Sequence, residues 1–175
     1  MIPMPIWMTG PLMMTGGNCF PACRLEPGKS GHDAGWELLE RLYREETGCP
    51  LPDVIRTSRG HPRFVGSHLC FSIAHTSRHA FCILSCKPVG IDAEELDRPV
   101  RLRLAEKILS PGEMEQFRRA EDKRRALLTF WVLKEAEAKR TGEGLTGFPN
   151  HTNFLLDDPN VHEWDGCLVA VSMEE

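Results

Sequence analysis

The sequence has no Cys-x-x-Cys pair, a single tyrosine, and no Lys or Arg beyond Arg140. Its seven cysteines (Cys19, Cys23, Cys49, Cys70, Cys82, Cys86 and Cys167) are odd in number and follow no metal-finger spacing, so neither a zinc ribbon nor a disulfide framework is indicated. Cys70, Cys82 and Cys167 lie in apolar runs, where a free thiol behaves as a small hydrophobe. The expectation is a reduced, cytoplasmic protein. Long apolar runs are also missing. The opening MIPMPIWMTGPLMMTGG is Met-rich, but Pro3, Pro5 and Pro11 interrupt it and it has no basic n-region, so neither a signal peptide nor a membrane span is expected. Aromatic residues make up only 7%, yet 41% of the 175 residues are hydrophobic and 26% charged, which suits one compact domain and excludes a disordered or fibrous chain.

A net positive charge is absent as well. The formal charge of −4 argues against nucleic acid or an anionic membrane as partner. The distribution is uneven: residues 101–140 hold eleven Lys or Arg against seven acids, and residues 141–175 hold seven acids and no Lys or Arg.

Apolar periodicity predicts a helix from Ser30 to about Thr47, with Trp36, Leu39, Leu42 and Tyr43 at helical spacing and Gly48, Cys49 and Pro50 closing it. Residues 51–64 read as an extended connection. LCFSIA at 69–74, AFCILS at 80–85 and VGIDAE at 89–94 read as strands of a meander. After Pro99 the pattern turns helical. Ser110-Pro111-Gly112-Glu113 has the form of a capping box, and the longest helix is expected from about Asp122 to Arg140. Beyond a Gly-, Pro- and Asn-rich loop at 142–153, NFLLD and CLVAVS read as two further strands. Helix, strands, helices, strands make the expected class α+β.

Two groups of residues suggest chemistry. Asp92 and Glu94 stand two apart in a strand, so their side chains leave the same face roughly 7 Å apart, where two hard oxygen donors suit Mg²⁺. The competing reading is a strand running into a polar turn. In WVLKEAEAK at 131–139, Trp131, Glu135 and Lys139 are spaced i, i+4, i+8 and share a helical face. A solvated Glu135–Lys139 pair is the ordinary account of such a face, but a carboxylate and an ammonium there also suit a metal-bound diphosphate. Lys134 lies about 100° away and could simply be solvated.

VGIDAE followed about forty residues later by WVLKEAEAK resembles the paired signature of the 4′-phosphopantetheinyl transferase superfamily, G-I/V-D-x-E before W/F-x-x-K-E-A/S-x-x-K. FSIAHTSRHAFCIL at 71–84, with His75 and Thr76, is similar to the F-N-I-S-H-S segment of the larger, Sfp-type members. Arg59-Gly60-His61-Pro62-Arg63-Phe64 resembles their G-K-P stretch with His61 in place of Lys, and GEGL at 142–145 resembles their glycine turn. Ala74 stands where those members have Ser. The resemblance covers residues 60–145 and suggests a short form of that type.

It implies transfer of the 4′-phosphopantetheine arm from coenzyme A to a serine of an acyl or peptidyl carrier protein, with release of adenosine 3′,5′-bisphosphate. It further implies Mg²⁺, or Mn²⁺, on Asp92, Glu94 and Glu135. Lys139, His75, Thr76, Lys134, Arg63 and His61 would hold coenzyme A, and Glu135, Glu113 or a metal-bound water would take the serine proton. Arg24, Lys29 and His32 are candidates for the 3′-phosphate. Arg118-Arg119 and Lys123-Arg124-Arg125 are either solvated helix faces or a docking surface for an acidic carrier.

The implied fold is α+β with two similar halves, each a long helix packed on a small antiparallel sheet. Residues 1–98 form the first half, with His75, Asp92 and Glu94, and residues 99–175 the second, with Glu135 and Lys139. Together they make one compact unit, expected to be a monomer. Two readings compete: a degenerate member that binds coenzyme A or a carrier without transfer, and an unrelated Mg²⁺-dependent enzyme acting on a nucleotide diphosphate.

Overall fold

The computed structural model describes residues 12–13, 19–58, 60–143 and 152–174. Helix α1 spans Gly31–Thr47 and ends on Gly48, whose left-handed φ of 71° lets its N–H bond Arg44 O at 2.9 Å. It buries Ala34, Leu38, Leu39 and Tyr43 against a sheet in which β7 (His79–Ser85) lies between β3 (Ala22–Arg24) and β6 (Cys70–His75). A short hairpin of β1 (Leu12–Met13) and β2 (Cys19–Phe20) precedes it. The stretch expected to be merely extended forms a second hairpin, β4 (Val54–Arg56) with β5 (Pro62–Phe64).

The expected meander does not form. Both edges of β7 are taken, by β3 and β6, so β8 (Val89–Glu95) leaves that sheet and pairs antiparallel with β10 (Cys167–Met173) over seven residues. β9 (Val161–Trp164) takes the other edge of β10. The β9–β10 turn is Asp165-Gly166 with φ of 46° and 77°, both in the left-handed region that a tight two-residue hairpin requires. The strand carrying Asp92 and Glu94 therefore belongs to the second sheet.

The two sheets stack face to face with a helix outside each, giving the order α1, first sheet, second sheet, α4. Ala74, Phe81 and Ile83 meet Ile91, Ala93, Val169 and Val171 between the sheets. Helix α4 (Lys123–Thr141) covers the outer face of the second sheet through Val132, Leu133 and Ala136 on Leu168 and Ala170. A 3-10 turn at Leu102–Leu104, α2 (Ala105–Ile108) and α3 (Pro111–Arg119) close the remaining side of α4 around Leu109, Leu127 and Phe130. The architecture is α+β with a long helix on a small antiparallel sheet, twice.

The expected strand NFLLD is not one. Phe154 and Leu156 do pack inward beside Phe130, which accounts for the alternation. Their N–H groups bond Glu113 Oε1 and Gln116 Oε1, each at 3.1 Å, and Gln116 Nε2 donates to Phe154 O at 2.9 Å. Two side chains of α3 thus stand in for a neighbouring strand.

Candidate active site

The geometry begins at Gly90. A Cβ built there would lie 1.9 Å from Ala136 O and 2.7 Å from Arg140 N, so the backbone of α4 rests directly on β8 and only glycine fits. Alternation along β8 sends Val89, Ile91 and Ala93 into the layer between the sheets and Gly90, Asp92 and Glu94 toward α4. The close approach brings Lys139 over the seam between β6 and β8. Its Nζ donates to Asp92 Oδ1 at 2.8 Å, Ile91 O at 3.0 Å and Ile73 O at 3.3 Å. Nearby, Ser72 Oγ accepts from Ile91 N–H at 3.1 Å. Lys139 is therefore no solvated partner of Glu135 but a cation set at the joint of the two halves.

Asp92 is 8% exposed. Burial pushes its carboxyl up to about 6; Lys139 pulls it down, and Glu135 and Glu94 push it further up. Glu135 is raised too, by burial first, with Lys139 opposing and Glu94 adding to the rise. Glu94 forms an ion pair with Arg98. Asp92 and Glu135 are thus both raised by burial, and the charge of Glu94 adds to each, beside one ammonium. Among the described residues no three acidic, His or Cys side chains stand close enough together to enclose an ion. The donor set itself, hard oxygens that repel one another, fits a divalent cation such as Mg²⁺ or Mn²⁺.

His75 ends β6 one step from the seam. Its Cβ, Cγ and Nδ1 lie 2.9–3.1 Å from where a Cβ on Gly31 would sit, so glycine at the first position of α1 makes room for the ring. His75, Lys139, His61, Arg56, His32 and Trp36 line a cleft of about 330 Å³. His61 Nε2–H donates to Lys139 O at 3.0 Å, and burial lowers its pKa, with Arg63 adding to the effect. Its Nδ1 is buried with no partner. Arg63 lines an adjoining cavity of about 500 Å³ that meets the cleft at His61 and Gly142. A larger cavity, about 570 Å³, is lined by Arg24, Arg78, Asp97 and Asp165 and contains none of His75, Asp92, Glu94, Glu135 and Lys139.

Other expected site residues are engaged elsewhere. Glu113 is wholly buried: it completes the capping box with Ser110, accepts from Phe154 N–H and pairs with Lys134 Nζ at 2.8 Å. Lys134, 2% exposed, also donates to Thr152 Oγ1 at 2.5 Å, so it is not a solvated lysine. These two form a structural pair under α3 and are not brought into contact with Asp92. Thr76 Oγ1 accepts from Arg78 N–H and His79 N–H and so shapes the β6–β7 turn. Ala74 packs between the sheets, so its methyl replaces no cleft hydroxyl. Arg24 pairs with Asp165 and Lys29 with Glu37, whereas His32 remains at the cleft. Arg124 donates to Leu96 O and Arg98 O, and Lys123 to Arg118 O and Ala120 O, so part of the basic surface is used to hold α4 in place. Arg59 and the second half of the GEGL turn, Gly144 and Leu145, lie outside the described residues.

The sequence model of the 4′-phosphopantetheinyl transferase superfamily matches residues 88–165, which hold β8, α4 and the joint between them. By this segment the chain is similar to the 4′-phosphopantetheinyl transferase superfamily. It is similar to 4′-phosphopantetheinyl transferase psf-1 of Bacillus pumilus, at 28% identity over 71% of this chain and 55% of that protein. It is also similar to 4′-phosphopantetheinyl transferase HetI of Nostoc sp., at 35% identity over 50% of this chain and 40% of that protein. A solved structure, holo-[acyl-carrier-protein] synthase of Thermotoga maritima, is similar over 48% of this chain and 60% of its own, with 25% identity and a TM-score of 0.36. The chain spans about half, or less, of the length of these curated relatives.

The joint made two further residues legible only in three dimensions. Gly31 is needed for the seat of His75, and nothing in the sequence around it separates it from any helix-start glycine. Glu95, beside the motif acid Glu94, points between the sheets and accepts bonds from the β6–β7 turn.

Proposed function

We propose that the chain transfers the 4′-phosphopantetheine arm of coenzyme A to a serine hydroxyl of an acyl or peptidyl carrier protein and releases adenosine 3′,5′-bisphosphate. The observation that carries this reading is Lys139 set between Asp92 and the carbonyls of Ile73 and Ile91, within the segment matched by the superfamily model, where the charges of Glu135 and Glu94 act on Asp92. Asp92, Glu94 and Glu135 would hold Mg²⁺, or Mn²⁺ in its place, which when bound supplies neutralising charge to the diphosphate. Lys139 orients one phosphate oxygen, and His75, exposed at the mouth of the cleft, meets another. The serine oxygen forms the new P–O bond, the bond to the nucleotide phosphate breaks, and the serine proton passes to Glu135. Of the two carboxyls considered Glu135 is the available one, since Glu113 is enclosed by its own bonds.

Both walls of the cleft come from one chain, which supports a monomeric working unit. No helix among the described residues is long and apolar enough to cross a membrane. The test is chromatography of the small-molecule product from this protein, coenzyme A, an apo carrier and Mg²⁺. Adenosine 3′,5′-bisphosphate should accumulate in step with the carrier, and should vanish when Mg²⁺ is chelated or Lys139 is changed to Met. Coenzyme A binding without product would favour a binding protein instead.

A further inference from the structure

The apolar layer between the sheets ends in a polar plug. Ala93 is the last apolar side chain that β8 sends into the layer, and Glu95 follows it on the same face at 7% exposure. Its carboxylate accepts from Ser77 Oγ at 2.9 and 3.0 Å and pairs with Arg78 at 3.0 Å, and Arg78 also reaches Asp97 at 2.6 Å. Beside it His79, 2% exposed, joins Asp165 Oδ2 at 2.9 Å and Cys167 Sγ at 3.3 Å. The bonds of this plug run from the β6–β7 turn and the first residue of β7 to the end of β8, to Asp97 just beyond it and to the β9–β10 hairpin.

The plug lies within two residues of the chemistry on both sides. Ser77 is two residues beyond His75, and Glu95 directly follows Glu94. A carboxylate clamped on Ser77 and Arg78 thus fixes the spacing between the histidine on the first half and the acids on the second. We propose that Glu95 is a positioning residue for the transfer reaction, holding the His75 turn at its working distance from Asp92 and Glu94. This rests on the reading of the cleft as a coenzyme A site. Glu95 touches no substrate; it acts through the turn. Loosening it should weaken the contact between His75 and a phosphate while leaving the carrier surface unchanged, so the cost falls on coenzyme A rather than on the carrier.

The test uses the full chain with Glu95→Ala, Glu95→Gln and Ser77→Ala. Melting temperature, KM for coenzyme A, KM for the carrier and backbone hydrogen exchange at residues 75–79 are measured for each. The expected result is a rise of about tenfold in KM for coenzyme A in Glu95→Ala, with KM for the carrier unchanged and exchange at residues 75–79 accelerated. Glu95→Gln, which keeps an acceptor for Ser77, should restore most of the loss. Ser77→Ala, a change in an accessible turn, should reproduce the effect in part without a lower melting temperature, and it decides the matter if Glu95→Ala does not fold. Equal effects on both substrates, or none on coenzyme A in folded variants, would overturn the proposal. A wild-type protein that neither transfers nor binds coenzyme A would instead overturn the reading of the site. Exchange at residues 75–79 then still decides whether Glu95 holds the turn: unchanged exchange in Glu95→Ala refutes it.

Discussion

A carboxylate held at a raised pKa is a site kept under electrostatic load, and Asp92 is one. Its folded value of about 6 lies above its ordinary 3.8, so between these pH values the folded protein binds the proton more tightly than the unfolded chain. The contribution of Asp92 to stability is therefore full below about pH 4 and is lost as pH rises through 6. It amounts to about 3 kcal/mol if nothing compensates. Thermal unfolding in metal-free buffer should show Asp92→Asn at least as stable as wild type at pH 7.5, with the two converging near pH 4. Transfer by that variant should fall at least about a hundredfold. A melting temperature well below wild type at pH 7.5 would mean that the Lys139 bond outweighs the burial of charge. Added Mg²⁺ should raise the melting temperature of wild type and not of the variant, because only a ligand that binds the folded form shifts the equilibrium. The acids of this site were legible in the sequence because spacing alone puts Asp92 and Glu94 on one strand face. The role of Lys139 was not: helical spacing gave it Glu135 as partner, and only the approach of α4 to β8 gave it Asp92 and two carbonyls.

That approach belongs to the elements. Gly90→Ala would drive a methyl into the backbone of Ala136 and Arg140, where no side chain can turn away. A loss of more than about 2 kcal/mol in urea unfolding is expected, against a few tenths for Ala at an exposed turn. If Gly90→Ala were neutral, α4 would not rest on β8 as described. The Glu113–Lys134 pair makes a contrasting prediction. Removing one member, as in Glu113→Ala, leaves a buried ammonium uncompensated and should cost about 3–5 kcal/mol, with no selective change in KM for coenzyme A in the fraction that folds. A coenzyme A defect in a variant of undiminished stability would return Glu113 to the chemistry. The elements themselves were largely readable: α1 through its periodic apolar face and Gly48, α3 through its capping box, and β10 through its apolar run. NFLLD misled because its alternation is real while its hydrogen-bond partners are the side chains of Glu113 and Gln116, a substitution no local pattern announces. The hairpin turn Asp165-Gly166 carried a strong local signal for β9 that NFLLD displaced.

At the scale of the molecule, the two sheets face each other and each carries a helix outside, so the cleft is a seam between halves and not a hollow within either. Fold class followed from the order of apolar patterns, whereas the doubling of helix-on-sheet was implied by the family resemblance. The assignment of β8 did not, because pairing partners distant in sequence leave no local trace: β8 meets β10 more than seventy residues later. This crossing puts the acids on the same sheet as α4 and leaves His75 on the other side, so the seam must be held for the site to exist. Lys139 spans it at one point, and the Glu95 and His79 bonds span it at another. The central claim is that this seam delivers a phosphopantetheine arm to a carrier serine. Intact-mass spectrometry of an apo acyl carrier protein, incubated with this protein, coenzyme A and Mg²⁺, tests it most directly. The account predicts a carrier heavier by one phosphopantetheine, and no gain when Asp92→Ala replaces wild type. An unmodified carrier across several acyl and peptidyl carrier proteins, or equal modification by Asp92→Ala, would contradict it.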